Sequence, residues 1–352
     1  MAIGREPDSE GDGVRVIYLF DMDGWALEDI GFALRDALAP AGVEVEPVRR
    51  DRWLASPRGA DVLYWGWSGM ARPDPAVRRH AGRVVTTVHD PQEISHFENR
   101  ADWRRFPCKP LYWFDAVDRV SVISDELRDV MARCYDREVA RTPTWPSQWR
   151  SLRATQDRPE RAAIKVISST KMRATFPMRE IASRWRHWSS YLVDGRGRLA
   201  PRQALGLAVR TRRKNLPLLR RISRRFAADP RLQCEFNDGG PRFAARDDYL
   251  HWLADADVYA CTSNMEGGPL PVMESVLAGL AVVSTPVGQV GEWVVDGHNG
   301  FIARTEAEFV AALNRYADDR ELLRQHQAAS RQIAAAFTPP IDPWLRFLSD
   351  WR

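Results

Sequence analysis

Glu266 and Glu274 flank seven residues that open on a Gly-Gly-Pro turn, inside the stretch 257–303, DVYACTSNMEGGPLPVMESVLAGLAVVSTPVGQVGEWVVDGHNGFIA. An apolar run ending at about Ser263 reads as a strand, and Glu266, Gly267 and Gly268 form the loop after it. Pro271, near a first helical position, starts a helix that ends around Gly279. A helix N-terminus at the carboxyl end of a strand offers free amides and a dipole that favour a phosphate, in the place where open α/β sheets bind ligands. Two carboxylates beside an anion site make no sense for phosphate alone, because like charges repel. A carboxylate does accept hydroxyl hydrogen bonds, so Glu274 suits a ribose diol and Glu266 a sugar ring beside a diphosphate. A nucleotide sugar has both ends.

These residues resemble the retaining GT-B glycosyltransferases of family 4, whose hallmark is an E-x7-E segment. ADADVYACTSNMEGGPLPVMESVLAGLAVVSTPVG and EWVVDGHNGFI resemble the family's donor-binding core, and the rest of the chain is similar in architecture only. The resemblance implies that Glu274 binds ribose, that Glu266 binds the donor sugar, and that Gly267, Gly268, Pro269 and Leu270 line the diphosphate or sugar. It also implies an Arg and a Lys after the first strand of the second domain. STKMRATFPM lacks the family's Gly-Arg then Lys-Gly, so Lys171 and Arg173 are appointed on position and charge; a rival alignment, starting at ALGLAVRTRRKNLPLL, appoints Arg210 and Lys214. The first keeps the full strand count before Glu266. His89, ending VVTTVHD, matches the family's His facing the donor sugar, and is equally readable as a structural ring satisfied by a neighbour. Gly24, in the loop Asp21–Trp25, stands alone where a Gly pair is common at the donor phosphate. The implied reaction is sugar transfer from a nucleoside-diphosphate sugar to an acceptor hydroxyl with retention, without metal or other cofactor. Helix amides and a cation stabilise the leaving diphosphate, and the donor draws two lobes together. The acceptor is a glycan, a lipid-linked sugar or a small molecule.

Two other readings stay open. LFDMDG resembles the first motif of haloacid-dehalogenase-type phosphohydrolases, with Asp21 as nucleophile, Asp23 as acid/base and magnesium between them; Trp25 departs from that pattern. The same two domains could also bind a nucleotide or glycan without turnover.

The elements that must position these residues alternate in type. VRVIYLF, VEVEPV, ADVLYWGW, RVVTTVHD and DRVSVIS read as strands, ALEDIGFALRDALAPAG as a helix, and SDELRDVMARCY as a helix capped by Ser124. TPTWPSQWRSLRATQDRPERA reads as a linker. IKVIS, SSYLVDG, LQCEF, DVYACTS, LAVVST and GFIA follow as strands, with helices at about 177–187, 201–227, 246–255, 271–278 and 305–316. The expected fold is α/β, a GT-B pair of doubly wound Rossmann-like domains facing a central cleft. Its expected parts are a lead-in over 1–13, an acceptor-side domain over 14–150, a nucleotide-sugar domain over 160–335, and a tail over 336–352 returning to the first domain.

With 352 residues, 44% hydrophobic and 28% charged, the chain belongs to the ordinary globular class, neither disordered nor coiled coil. Its net charge of +4 rests almost wholly on arginine, since Lys109, Lys165, Lys171 and Lys214 are the only lysines. Anionic ligands are expected, not nucleic acid. The basic segment 196–225 reads either as a solvated face or as a peripheral contact with anionic membrane. Cys108, Cys134, Cys234 and Cys261 form no CxxC pair, which suits reduced thiols in a cytoplasm. No apolar run reaches the roughly 18 to 20 residues of a membrane span, and the polar N-terminus does not resemble a signal peptide.

Overall fold

The computed structural model describes residues 13–21, 23, 26–71, 75–94, 111, 114–135, 138–154, 161–169, 214–237 and 246–349. Two parallel sheets divide them. In the first, β1 (Val14–Phe20), β2 (Val43–Arg49), β3 (Ala60–Trp65), β4 (Ala81–Val88), β5 (Arg119–Val122) and β6 (Val139–Arg141) stand in the order β2-β1-β3-β4-β5-β6. β1 pairs with β2 from Val14 opposite Val43 and with β3 from Val16 opposite Val62. Runs such as VRVIYLF are almost wholly buried, as strands covered on both faces must be. The helices of this half are α1 (Ala26–Leu38), α2 (Arg50–Ala55), α3 (Pro75–Arg78), α4 (Asp125–Cys134) and α5 (Trp149–Ala154). Apolar spacing of three and four buries Leu27, Ile30, Leu34 and Leu38 of α1. Ser124 caps α4, its hydroxyl accepting from the Leu127 amide at 3.4 Å.

The second sheet holds β7 (Ile164–Ser169), β8 (Leu232–Asn237), β9 (Val258–Cys261), β10 (Ala281–Ser284) and β11 (Gly300–Ile302), in the order β11-β10-β9-β7-β8. Its helices are α6 (Leu216–Phe226), α7 (Arg246–Ala254), α8 (Leu270–Leu277), α9 (Val290–Trp293), α10 (Glu306–Asp318) and α11 (Arg320–Ala336). A Thr305/Glu308 capping box starts α10 and the Asp319 carboxylate caps α11. Among the described residues both sheets share the order 2-1-3-4-5 in local numbering, so the direction in which successive strands are added reverses between first and third strands. That switch point lies at β1/β3 in one domain and at β7/β9 in the other, and it opens a crevice at the strands' carboxyl ends. Two doubly wound, Rossmann-like domains is the architecture the alternating pattern implies.

Several expectations meet different outcomes. The linker stretch is not plain coil: it carries α5, and Thr142, Thr144 and Trp145 within it are buried. The helix read at 201–227 is described only from Lys214 onward, where α6 buries Leu216, Leu218, Leu219, Ile222 and Phe226 and turns Arg220, Arg221, Arg224 and Arg225 outward. The helix at 177–187 and the strand SSYLVDG lie outside the described residues. Reduced thiols hold for Cys234 and Cys261 but fail at Cys134, which is disulfide-bonded. Among the described residues no helix is long and apolar enough to cross a membrane.

A last helix, α12 (Asp342–Ser349), leaves the second domain and lies on the first. The Trp344 indole donates to the Pro143 carbonyl at 2.8 Å, and its ring sits 5.9 Å from Tyr64 and 6.5 Å from Trp145. Arg119 donates to the carbonyls of Arg346 and Phe347, both at 3.0 Å.

Candidate functional site

At the second switch point, β9 ends on Cys261 and the chain crosses Thr262 to Pro269 before α8 begins. α8 is buried on nearly every side, so Glu274 on its second turn is only 1% exposed. Glu266, in the preceding loop, is buried too. Buried carboxylates need partners, and both have them. The Glu266 Oε1 accepts from Lys214 Nζ and from Ser263 Oγ at 2.8 Å. Glu274 accepts from Arg246 Nη2 on one oxygen and from Tyr249 Oη, at 2.8 Å, on the other. Burial and the Glu274 charge push the Tyr249 phenol well above its ordinary value, so its hydroxyl keeps the proton it donates.

Lys214 stands immediately before α6. Thr262 Oγ1 donates to its carbonyl at 3.1 Å, and Asn215 Nδ2 donates to Asn264 Oδ1 at 3.2 Å, so this turn is tied to the Glu266 loop. Asn215 holds φ +50°, the left-handed region, which Asn tolerates better than other non-glycine residues. Glycine would occupy that conformation most readily. The strand IKVIS is β7, yet the lysine that reaches Glu266 is the one from the rival alignment. Lys171, Arg173, Arg210 and Gly24 lie outside the described residues.

The first domain presses directly on this loop. A side chain at Gly267 would fall on the His89 carbonyl oxygen, and one at Gly268 would lie 2.9 Å from Ile123 Cδ1. Gly288, at φ +51°, donates its amide to Glu126 Oε2 at 3.1 Å, and Thr144 Oγ1 donates to Gln289 Oε1 at 3.2 Å. Arg141 bridges to Glu292 at 2.5 Å. The two lobes are therefore already in contact at the glycines. Within the second domain, Ser168, Ser169, Lys214, Tyr259, Ser263 and Glu266 line a cavity of about 20 Å³, room for about one water.

His89 follows β4, with its backbone at the Gly267 contact. Burial pushes its imidazole down to about 4, a hydrogen bond to the Gly66 backbone working the other way, so the ring is neutral at pH 7. Its Nε2 is buried without a hydrogen-bond partner, as a group awaiting a ligand hydroxyl would be. Glu93 holds the turn: its Oε1 accepts from the amides of His89 at 2.6 Å and Asp90 at 2.8 Å, and its Oε2 from Ser68 Oγ. Burial pushes this carboxyl up to about 8, with the Ser68 hydrogen bond pulling it down and the Asp90 charge adding to the rise. Asp23, half of the LFDMDG pair, is engaged by Arg49 at 2.9 Å.

The site thus unites Glu266, Glu274, Gly267, Gly268, Pro269, Leu270 and His89 at one crevice. Sequence reasoning missed Arg246, Tyr249 and Glu93. The first two stand at i and i+3 on α7, a pairing that points both to one face, and Glu93 lies four residues after His89.

Residues 242–333 match the family model Glycosyl transferases group 1. The chain carries a group 1 glycosyltransferase domain. That domain spans α7 to α11 and includes Arg246, Glu266 and Glu274. A search among curated proteins finds no match to this sequence. Among solved structures, the Anabaena protein HepE in complex with UDP-glucose is similar at 16% identity and a TM-score of 0.51, covering 92% of this chain and 94% of that one. HepE with UDP and glucose gives 16% and 0.50, covering 92% and 95%. A glycosyltransferase from Rickettsia africae gives 12% and 0.49, covering 95% and 96%. At such identities the HepE likeness establishes architecture, and with the two switch-point sheets the fold of this glycosyltransferase-domain protein is GT-B.

Proposed function

We propose that the protein is a retaining glycosyltransferase of the family 4 type, moving a sugar from a nucleoside-diphosphate sugar to an acceptor hydroxyl. The observation that carries this is the Lys214–Glu266 pair beside the α8 N-terminus, one turn before Glu274. A single crevice then offers a cation and free amides for a diphosphate, a carboxylate for ribose, and a carboxylate with a neutral His89 for sugar hydroxyls. When the donor enters, Lys214 turns from Glu266 to the phosphates, and the freed Glu266 takes hydroxyls of the transferred sugar. As the sugar–phosphate bond breaks, charge grows on the diphosphate, where Lys214 and the helix dipole stabilise it most. Lys214 fills the role for which Lys171 and Arg173 were appointed by position. HepE is known in complex with UDP-glucose, so uridine nucleotides are the first donors to try. The acceptor hydroxyl enters from the first domain; a glycan, a lipid-linked sugar and a small molecule all suit this arrangement.

The test is sugar transfer from a panel of UDP-sugars in excess chelator, beside phosphate release from phosphomonoesters with magnesium. Transfer should persist in chelator. Glu274→Ala should chiefly weaken donor binding, by about 1.5 to 3 kcal/mol for a lost charged hydrogen bond, whereas Glu266→Ala should strike kcat. Phosphatase activity that Asp21→Asn abolishes, with no transfer from any donor, would overturn the assignment. Binding of UDP with no transfer to any acceptor would favour a non-catalytic nucleotide-binding protein.

A further inference from the structure

Glu274 is 1% exposed, and the side chain over it, Arg246, is 36% exposed. A ribose diol arriving from the crevice meets the guanidinium before it meets the carboxylate. Arg246 spans the two lobes. Its Nη2 bonds Glu274 Oε1 and lies 4.0 Å from Asp29 Oδ2 on α1 of the first domain. Asp29 is held in place by the amide of Ser147 at 3.1 Å and by the Ser147 hydroxyl. The guanidinium lies 5.0 Å from the Tyr249 ring centre, a flat face that keeps contact with it as it shifts. In its present seat Arg246 Nε is buried and unbonded. A guanidinium has five donors, so this seat does not satisfy it fully.

We propose that Arg246 gates the nucleotide site: it occupies the Glu274 oxygen that the ribose diol must take, and on binding it transfers to Asp29 across the cleft. This rests on the assignment of Glu274 to ribose made above. Tyr249 keeps its hydrogen bond to the other Glu274 oxygen and holds the carboxylate's orientation during the exchange. An ion pair inside the second lobe is thereby traded for a closer one between the lobes, so the diol itself strengthens the contact across the cleft. Arg246 thereby narrows the preference for the diol, since expelling the guanidinium offsets part of what the diol's hydrogen bonds contribute.

The experiment is calorimetric titration of the full chain with UDP and with 2′,3′-dideoxy-UDP, in the wild type, Arg246→Gln, Asp29→Asn and Glu274→Gln, each first checked by thermal unfolding. Removing the internal competitor should tighten UDP binding about tenfold in Arg246→Gln and widen its preference for UDP over the dideoxy analogue. Asp29→Asn, which removes the receiving carboxylate, should weaken UDP binding. The wild type also tests the idea without any variant. If the diol must expel a guanidinium, its removal costs only a few-fold in affinity, whereas a free carboxylate would make it cost about thirtyfold or more. Weaker or unchanged UDP binding in Arg246→Gln, with Glu274→Gln still impaired, overturns the gate and leaves the ribose assignment standing. No UDP binding by the wild type, or none lost in Glu274→Gln, overturns that assignment and the gate with it.

Discussion

Replacing Glu93 by Gln should make the protein more stable at pH 8 and leave it unchanged near pH 5. Glu93 is 4% exposed and its carboxyl is pushed up from the usual 4.5 to about 8, so the native state holds a proton that the unfolded chain releases above 4.5. Because the folded value is raised, the stability this carboxyl contributes is complete below 4.5 and is lost as pH rises to about 8. At roughly 1.4 kcal/mol per pH unit the loss reaches a few kcal/mol, with about 5 as its ceiling. His89 runs the other way. Its folded value is depressed to about 4 against the usual 6.5, so its contribution is complete above 6.5 and lost as pH falls towards 4. The two slopes oppose one another between 4.5 and 6.5, and Glu93 acts without that opposition from 6.5 to 8. Gln at 93 keeps an oxygen for the amides of His89 and Asp90, and its NH2 donates to Ser68 Oγ. The neutral isostere therefore preserves the turn and removes only the titration. Urea unfolding of both proteins at half-unit steps from pH 5 to 9 measures the difference, in which every other titrating group cancels. Parallel stability curves between 6.5 and 8 would show that Glu93 is not a proton-holding carboxyl and refute the linkage.

Lys214→Met should cost about 2 to 3 kcal/mol in urea unfolding, because it strips a buried carboxylate of its cation, and should lower kcat with a UDP-sugar about a hundredfold; full activity would remove Lys214 from the reaction. Gly267→Ala sets a methyl group on the His89 carbonyl oxygen. It should cost about 1 to 3 kcal/mol of packing strain and enlarge the free protein in small-angle scattering as the lobes are wedged apart, so an unchanged radius of gyration would mean the lobes are not in contact there in solution.

The second domain was legible where local and global preferences agree. VYAC, AVVS and LPVMESVL are short apolar segments closed by Gly, Pro or Ser, and β9, β10 and α8 form within a residue or two of where those signals stand. Ser124 was legible as a cap because its hydroxyl competes for amides that a helix leaves open. Lys214 was harder, since residues 170–213 separate it from β7 and strand counting pulled the choice towards Lys171. Arg246 was hidden by its own neighbours: RDDY reads as an ordinary acidic first turn, and nothing local reveals that its cation neutralises a carboxylate on the next helix. Glu93 was missed because pattern reading sees an exposed loop acid, whereas the turn folds it inward to satisfy two amides. β6 is three residues long, too short for any period to register.

The placement of α12 bears on how the chain comes to be folded at all. Tyr64, Trp145 and Trp344 share one core, and Trp344 reaches Pro143 across a sequence separation of 201 residues. During synthesis the first domain emerges early, yet its aromatic core stays open until the final helix leaves the ribosome. Closing so long a loop delays that contact, and apolar surface around Tyr64 and Trp145 stays bare meanwhile. The second domain thus folds as an insert between two parts of the first. A protease cut between β6 and β7 should accordingly leave two fragments that remain bound, because the strap formed by α12 belongs to one and its seat to the other.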